Sequence, residues 1–95
     1  MVKIEYSGQF KKDAKLAEKS NKDMEKLKIL LRLMIDGEFF SNQKLQEEYC
    51  DHPLKGRWKG WRDAHIEPDW ILIYKYQEDR LLRFERTGSH SNLFR

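Results

Sequence analysis

Residues 59–90 read KGWRDAHIEPDWILIYKYQEDRLLRFERTGSH, and this stretch decides the fold. Three strands are expected in it, at roughly Lys59–Ile66, Trp70–Tyr76 and Leu81–Thr87. Glu67-Pro68-Asp69 is a tight connection, since proline cannot donate a ladder hydrogen bond, and Gln77–Arg80 is a polar turn. Links this short force antiparallel hairpins, because a parallel crossover needs about a dozen residues or more.

Upstream, Val2–Tyr6 alternates with β-branched and aromatic residues and reads as a short first strand. Ser7 is placed to cap a helix running to about Lys19, with Phe10, Ala14 and Ala17 on one face. Ser20-Asn21-Lys22-Asp23 matches a capping box and predicts the start of a second helix. There Met24, Leu27, Leu31 and Met34 recur at helical spacing beside Leu30, and Asp36-Gly37 supplies the stop. These stripes read as core. Residues 38–56 are the least regular, with a helical turn expected at Gln43–Tyr49. The order is βααβββ: one α+β domain over residues 1–95, two N-terminal helices packed on a mostly antiparallel four-stranded sheet.

Ninety-five residues suffice for one core with little stability to spare. A charged fraction of 37% excludes a membrane span, and an aromatic fraction of 13% excludes a disordered tail. With no secretory apolar region at MVKIEYSG and a single cysteine, Cys50, a cytoplasmic location is expected. The net charge of +3 is modest, but the type of cation changes along the chain. Residues 1–48 carry nine lysines and one arginine, whereas residues 49–95 carry three lysines and six arginines. Arginine's planar fork suits a phosphate gripped in a defined orientation.

The same half holds all three histidines and all three tryptophans. In a meander, the end of the second strand, the start of the third and the end of the fourth lie together. That brings His65, Asp69-Trp70, Arg86 and Gly88-Ser89-His90 to one edge of the sheet. Cleaving RNA without a metal requires a base for the 2′-hydroxyl, an acid for the departing 5′-oxygen and a cation for the charge on phosphorus. Histidine and aspartate suit the first two roles and arginine the third, while Trp70 or Phe94 is placed to stack on a base. The histidines lack HExxH or CxxC spacing, no glycine-rich phosphate loop is present, and no metal or cofactor is expected.

The blocks HPLKG (His52–Gly56), RDAHIEPDW (Arg62–Trp70) and RTGSH (Arg86–His90), in this order and at this spacing, resemble the YafQ branch of the RelE/ParE superfamily. The likeness runs from Phe10-Lys11-Lys12-Asp13 to Leu93-Phe94. It implies the toxin of a type II toxin–antitoxin system: a ribosome-dependent, metal-independent endoribonuclease that cuts messenger RNA in the aminoacyl site and stops translation. It also implies a cognate DinJ/RelB-like antitoxin, operator DNA contacted only through that complex, and no membrane. The family's functional positions fall on His52, His65, Asp69, His90 and Phe94, with Arg86 as the phosphate contact and Trp70 in a matched block. His90 is expected as general acid or base, and Asp69 as its counterpart or as the group that orients a histidine. Lys55, Arg57, Lys59, Arg62, Arg83 and Arg95 are expected to hold ribosomal or messenger phosphates. A meander leaves His52 at the opposite end of the sheet from His65, unless residues 52–58 fold back or the second strand is shorter. A ParE-like gyrase poison and a non-catalytic RNA-binding module are the competing readings, and neither accounts for histidines and aspartate together.

Overall fold

The computed structural model describes residues 3–36, 43–77 and 80–94. The first strand, β1 (Lys3–Tyr6), is followed by helices α1 (Gly8–Lys19), α2 (Met24–Asp36) and α3 (Gln43–Tyr49). Next come β2 (His52–Pro53), a 3-10 turn at Gly56–Trp58, β3 (Arg62–Glu67), β4 (Trp70–Gln77), β5 (Leu81–Gly88) and a last turn of helix, α4 (His90–Leu93). The sheet has five strands in the order β1-β5-β4-β3-β2, not the four expected. The extra strand is β2, two residues paired antiparallel with Arg62 and Asp63. The meander β3-β4-β5 is antiparallel as expected, and β1 joins β5 in parallel.

The helix caps follow side-chain chemistry. The Ser7 hydroxyl accepts from the Phe10 N–H at 2.9 Å and donates to the Glu85 carbonyl at 2.6 Å, tying α1 to β5. Ser20 does not open α2: it closes α1, its N–H reaching the carbonyls of Leu16 and Ala17. Asp23 does the capping, accepting from the Glu25 N–H at 3.1 Å. Two adjacent helices left one serine at their junction, and the C-terminus of α1 took it. The expected stop at Asp36-Gly37 agrees on Asp36, the last residue of α2, and Gly37 lies outside the described residues.

The central strand is apolar on both faces, with Trp70, Ile71, Leu72, Ile73 and Tyr74 each at most 1% exposed. Alternation sends Trp70, Leu72 and Tyr74 to the helices, where they pack with Phe10, Leu27 and Leu30. Ile71 and Ile73 face the other way, under Leu54, Trp58, Trp61, Leu93 and Phe94. Among the described residues, the loop after β2 and the short α4 cover that second face. Its uncovered part is where a site can form.

β1 pairs only with the first half of β5, Leu81–Phe84, and leaves the second half as an edge. Asp13 of α1 stands there in place of a strand. Its carboxylate accepts from the Thr87 N–H at 3.2 Å and from Arg86 Nε and Nη2, both at 3.0 Å. Asp13 is 8% exposed, so removing it strands a backbone donor and part of a guanidinium. Asp13→Ala is expected to cost about 2–3 kcal/mol in urea unfolding, and a loss below about 0.5 kcal/mol, the range of ordinary surface substitutions, would show that water replaces the carboxylate.

Candidate active site

The site starts from the pleat of β3. Alternate residues face opposite ways, so Asp63 and His65 share the open face of the sheet with Ile71 and Ile73, their partners across β4. β2 lies on the outer side of β3 with His52 opposite Asp63. One carboxylate is therefore flanked by two imidazoles. His52 Nδ1 lies 2.9 Å from Asp63 Oδ1, and the His52 and His65 rings are stacked with centroids 6.0 Å apart.

A polar cluster beneath the helices holds His52 in this position. Asp51 accepts from the Tyr74 hydroxyl at 2.6 Å and from Arg62 Nε at 3.1 Å, and its N–H reaches the Leu45 carbonyl of α3. Burial first, and then the bond to Asp51, push the Tyr74 hydroxyl far above the ordinary phenol range, so it remains a donor. Cys50, at φ +49°, turns the chain between α3 and β2, and its carbonyl accepts from His52 Nδ1 at 2.9 Å. That bond leaves Asp63 Oδ1 buried and without a hydrogen-bond donor among the described residues.

Asp63 is 1% exposed. Desolvation raises its carboxyl pKa above the usual carboxylate value, while positive charge on His52, His65 and His90 opposes the rise. All three histidines thus lie within electrostatic reach of one carboxylate. His90 arrives from the other side of β4. Gly88 pairs with Ile71, opposite His65, and Ser89 caps α4 by accepting from the Asn92 N–H. Asp69 Oδ1 accepts from the His90 backbone N–H at 3.1 Å, and the Phe94 ring meets His90 edge-on with centroids 4.7 Å apart.

The arrangement offers imidazoles, groups able to give or take a proton, beside a buried carboxylate. One potential ligand atom from each of His52, Asp63 and His65 lies within 4.8 Å of the other two, so these three residues also have a donor set for a metal ion.

A family model described as the bacterial toxin of a type II toxin–antitoxin system, YafQ, matches residues 2–95. The chain belongs to the YafQ family. It is 62% identical over 91 residues to the mRNA interferase toxin YafQ of Escherichia coli K12, covering 96% of this chain and 94% of the relative. The crystal structure of YafQ from E. coli BL21(DE3) matches it with a TM-score of 0.88 at 57% identity, over 100% of both chains. The E. coli DinJ-YafQ complex matches with a TM-score of 0.86, again at 57% identity and over 100% of both chains.

Among the residues expected to act, the structure of this YafQ-family chain brings His52, His65, His90 and Phe94 to one face of the sheet. The distance feared between His52 and His65 does not arise. β3 begins at Arg62 instead of Lys59, and residues 52–53 fold back beside it. Asp69 is exposed and holds the backbone of α4. Arg86 is bound to Asp13 through two nitrogens, yet its side chain remains 28% exposed beside α4.

Other expected contacts need correction. Trp70 cannot stack on a base: period-two alternation puts it on the helix side of β4, 1% exposed beneath Lys22. Arg62 is held by Asp51 on that same side. Arg83 is held between Glu5 and Glu85, at 2.9 and 2.8 Å, so its charge is already balanced. Lys55, Arg57 and Lys59 are exposed on the loop after β2, and Arg95 lies outside the described residues.

Sequence reasoning passed over Asp63. The signal was present in Arg62-Asp63-Ala64-His65, where i, i+2 spacing on a strand puts a carboxylate and an imidazole on one face. A carboxyl that is less acidic when folded contributes its full stability below the ordinary value of 3.8, and that contribution is lost as pH rises through its folded pKa. Asp63→Asn is therefore expected to melt above the unmodified chain at pH 7, with the gain shrinking in melts taken toward pH 4. A lower melting temperature at pH 7 would mean that the histidines hold the carboxylate more strongly than burial disfavours it.

Proposed function

We propose that this chain cuts messenger RNA in the ribosomal aminoacyl site by metal-independent general acid–base catalysis. It is an endoribonuclease of the mRNA interferase class, as its 62% identical relative is named. The observation that carries the mechanism is the buried Asp63 flanked by His52 and His65, with His90 fixed by Asp69 at the end of the neighbouring strand.

One imidazole takes the proton from a 2′-hydroxyl, which then attacks the adjacent phosphorus. A second, protonated imidazole gives its proton to the departing 5′-oxygen, leaving a cyclic phosphate on one fragment and a hydroxyl on the other. His90 fits one of these roles. It is exposed, stands at the first position of a helical turn fixed by Asp69, and has Phe94 against its ring. His65, stationed over Asp63, fits the other, and His52 donates to the phosphate or shares the transfer. Asp63 stabilises the imidazolium in each half of the exchange. The Arg86 guanidinium, held by Asp13 and partly exposed, is placed to donate a hydrogen bond to the phosphate, and Phe94 stacks on a neighbouring base.

The proton inventory closes without a metal, although His52, Asp63 and His65 can bind one. A metal there would occupy imidazole nitrogens that the reaction needs free. The chain acts in the cytoplasm, and a DinJ-like antitoxin holds it inactive; the E. coli relative crystallises in a DinJ-YafQ complex. Operator DNA is reached only through that antitoxin.

Primer extension on a messenger RNA carried by programmed ribosomes tests this reading. Cleavage at the aminoacyl-site codon is expected to need ribosomes and to survive a chelator. In His90→Ala it should fall by about 10²–10⁴-fold while ribosome binding persists. Loss of cleavage on chelation would replace this mechanism with a metal-dependent one.

A further inference from the structure

A cleft of about 510 Å³ opens on the same face of the sheet as the histidines, lined in part by Trp58, Trp61, Arg86 and Asn92. Its size is that of a small-ligand site. In register, Arg86 lies across β4 from Asp63: Asp63 pairs with Ile73, and Ile73 with Arg86. Two strand spacings, about 10 Å, therefore separate the cleft's arginine from the carboxylate at the centre of the site.

The lining has the chemistry of base recognition. Trp58 and Trp61 stand perpendicular, at 89° with centroids 6.0 Å apart, so a flat ring stacked on one presents its edge to the other. The Trp58 indole N–H is buried without an acceptor among the described residues, which is rare for a buried donor. The Lys75 ammonium sits 5.2 Å from the centre of the Trp61 ring, adding positive charge nearby. Asn92, exposed on α4 two positions after His90, offers a carboxamide with a donor and an acceptor in one fork. Such forks read the edges of unpaired bases, and aromatic rings hold their faces.

We propose that this cleft is a nucleobase subsite for the nucleotide next to the scissile bond, and that it helps determine where the chain cuts. The inference rests on the endoribonuclease reading. It also supplies what burial of Trp70 removed: tryptophan rings on the catalytic face of the sheet. An RNA base suits the cleft better than an apolar peptide side chain, because an arginine and a carboxamide line its aromatic wall.

The test compares the intact chain with Asn92→Ala and Trp61→Leu on one messenger RNA in programmed ribosomes, each variant first shown to fold by its melting curve. Asn92→Ala is expected to lower the preference for the best codon over the next by about 10-fold. KM should rise while the maximal rate at the best site changes little. Trp61→Leu should shift the pattern in the same direction, and if it does not fold, the exposed Asn92→Ala decides alone. Folded variants that cut with the original preference would overturn the subsite. The same holds if they cut normally but bind antitoxin poorly, which would assign the cleft to the antitoxin. Absence of cleavage by the intact chain would instead strike the endoribonuclease reading, and the subsite would fall with it.

Discussion

Burial of β4 on both faces is the constraint from which the rest of the molecule follows. A strand whose five leading residues are at most 1% exposed needs cover above and below. Packing of α1, α2 and α3 meets the need on one side, through Phe10, Leu27, Leu30, Met34 and Leu45. On the other side, the cover among the described residues is the loop carrying Leu54, Trp58 and Trp61, and the turn carrying Leu93 and Phe94. This cover, with β2, buries Asp63 but leaves His65 partly exposed and His52 exposed beside it. Asp63 and His65 are thus left on a surface that is half core and half open, where a carboxylate is desolvated while its imidazole neighbours still meet solvent.

The same economy places the other parts of the site. The turn that brings Leu93 onto Ile71 and Ile73 also presents His90 and Asn92, so core packing and positioning of the histidine are one event. The Asp51 cluster works similarly on the helix side. Its bonds to Tyr74 and Arg62 fasten the start of β2, and the next residue is His52. Pro53 then limits the edge that β2 exposes, since it has no N–H to offer a further strand. Asp63 opposes this order: it is buried, one of its oxygens has no donor among the described residues, and its stabilising contribution is lost as pH rises. A polar group kept at such cost is characteristic of a functional site rather than of a core.

Much of this was legible in the chain. The breaks at Glu67-Pro68-Asp69 and Gln77–Arg80 are too short for crossovers, so the meander followed from chain length alone. The blocks around His52, His65 and His90 pointed to the family that the comparisons found. Trp70 and Asp63 were misjudged for one shared reason. Period-two alternation divides residues into two sets, but it does not say which set meets the helices. In β4 both sets are apolar, so Trp70 read equally well as base stacker and as core. In β3, Asp63 looked like one acid among many until its neighbours removed it from water. Ser20 was a related case, since one residue can serve either of two adjoining helix ends.

What the sequence determined by itself was therefore local and periodic: the helix stripes, the hairpins, the alternation along each strand and the family blocks. These follow from backbone geometry and from residues close in the chain. What only the tertiary structure decided was pairing across distance. The return of His52–Pro53 beside Asp63, the capture of Arg86 by Asp13 and the burial of Asp63 each depend on which surfaces meet. A hydrogen bond or a desolvated charge has its energy only once both partners are in place, and no window of sequence contains both.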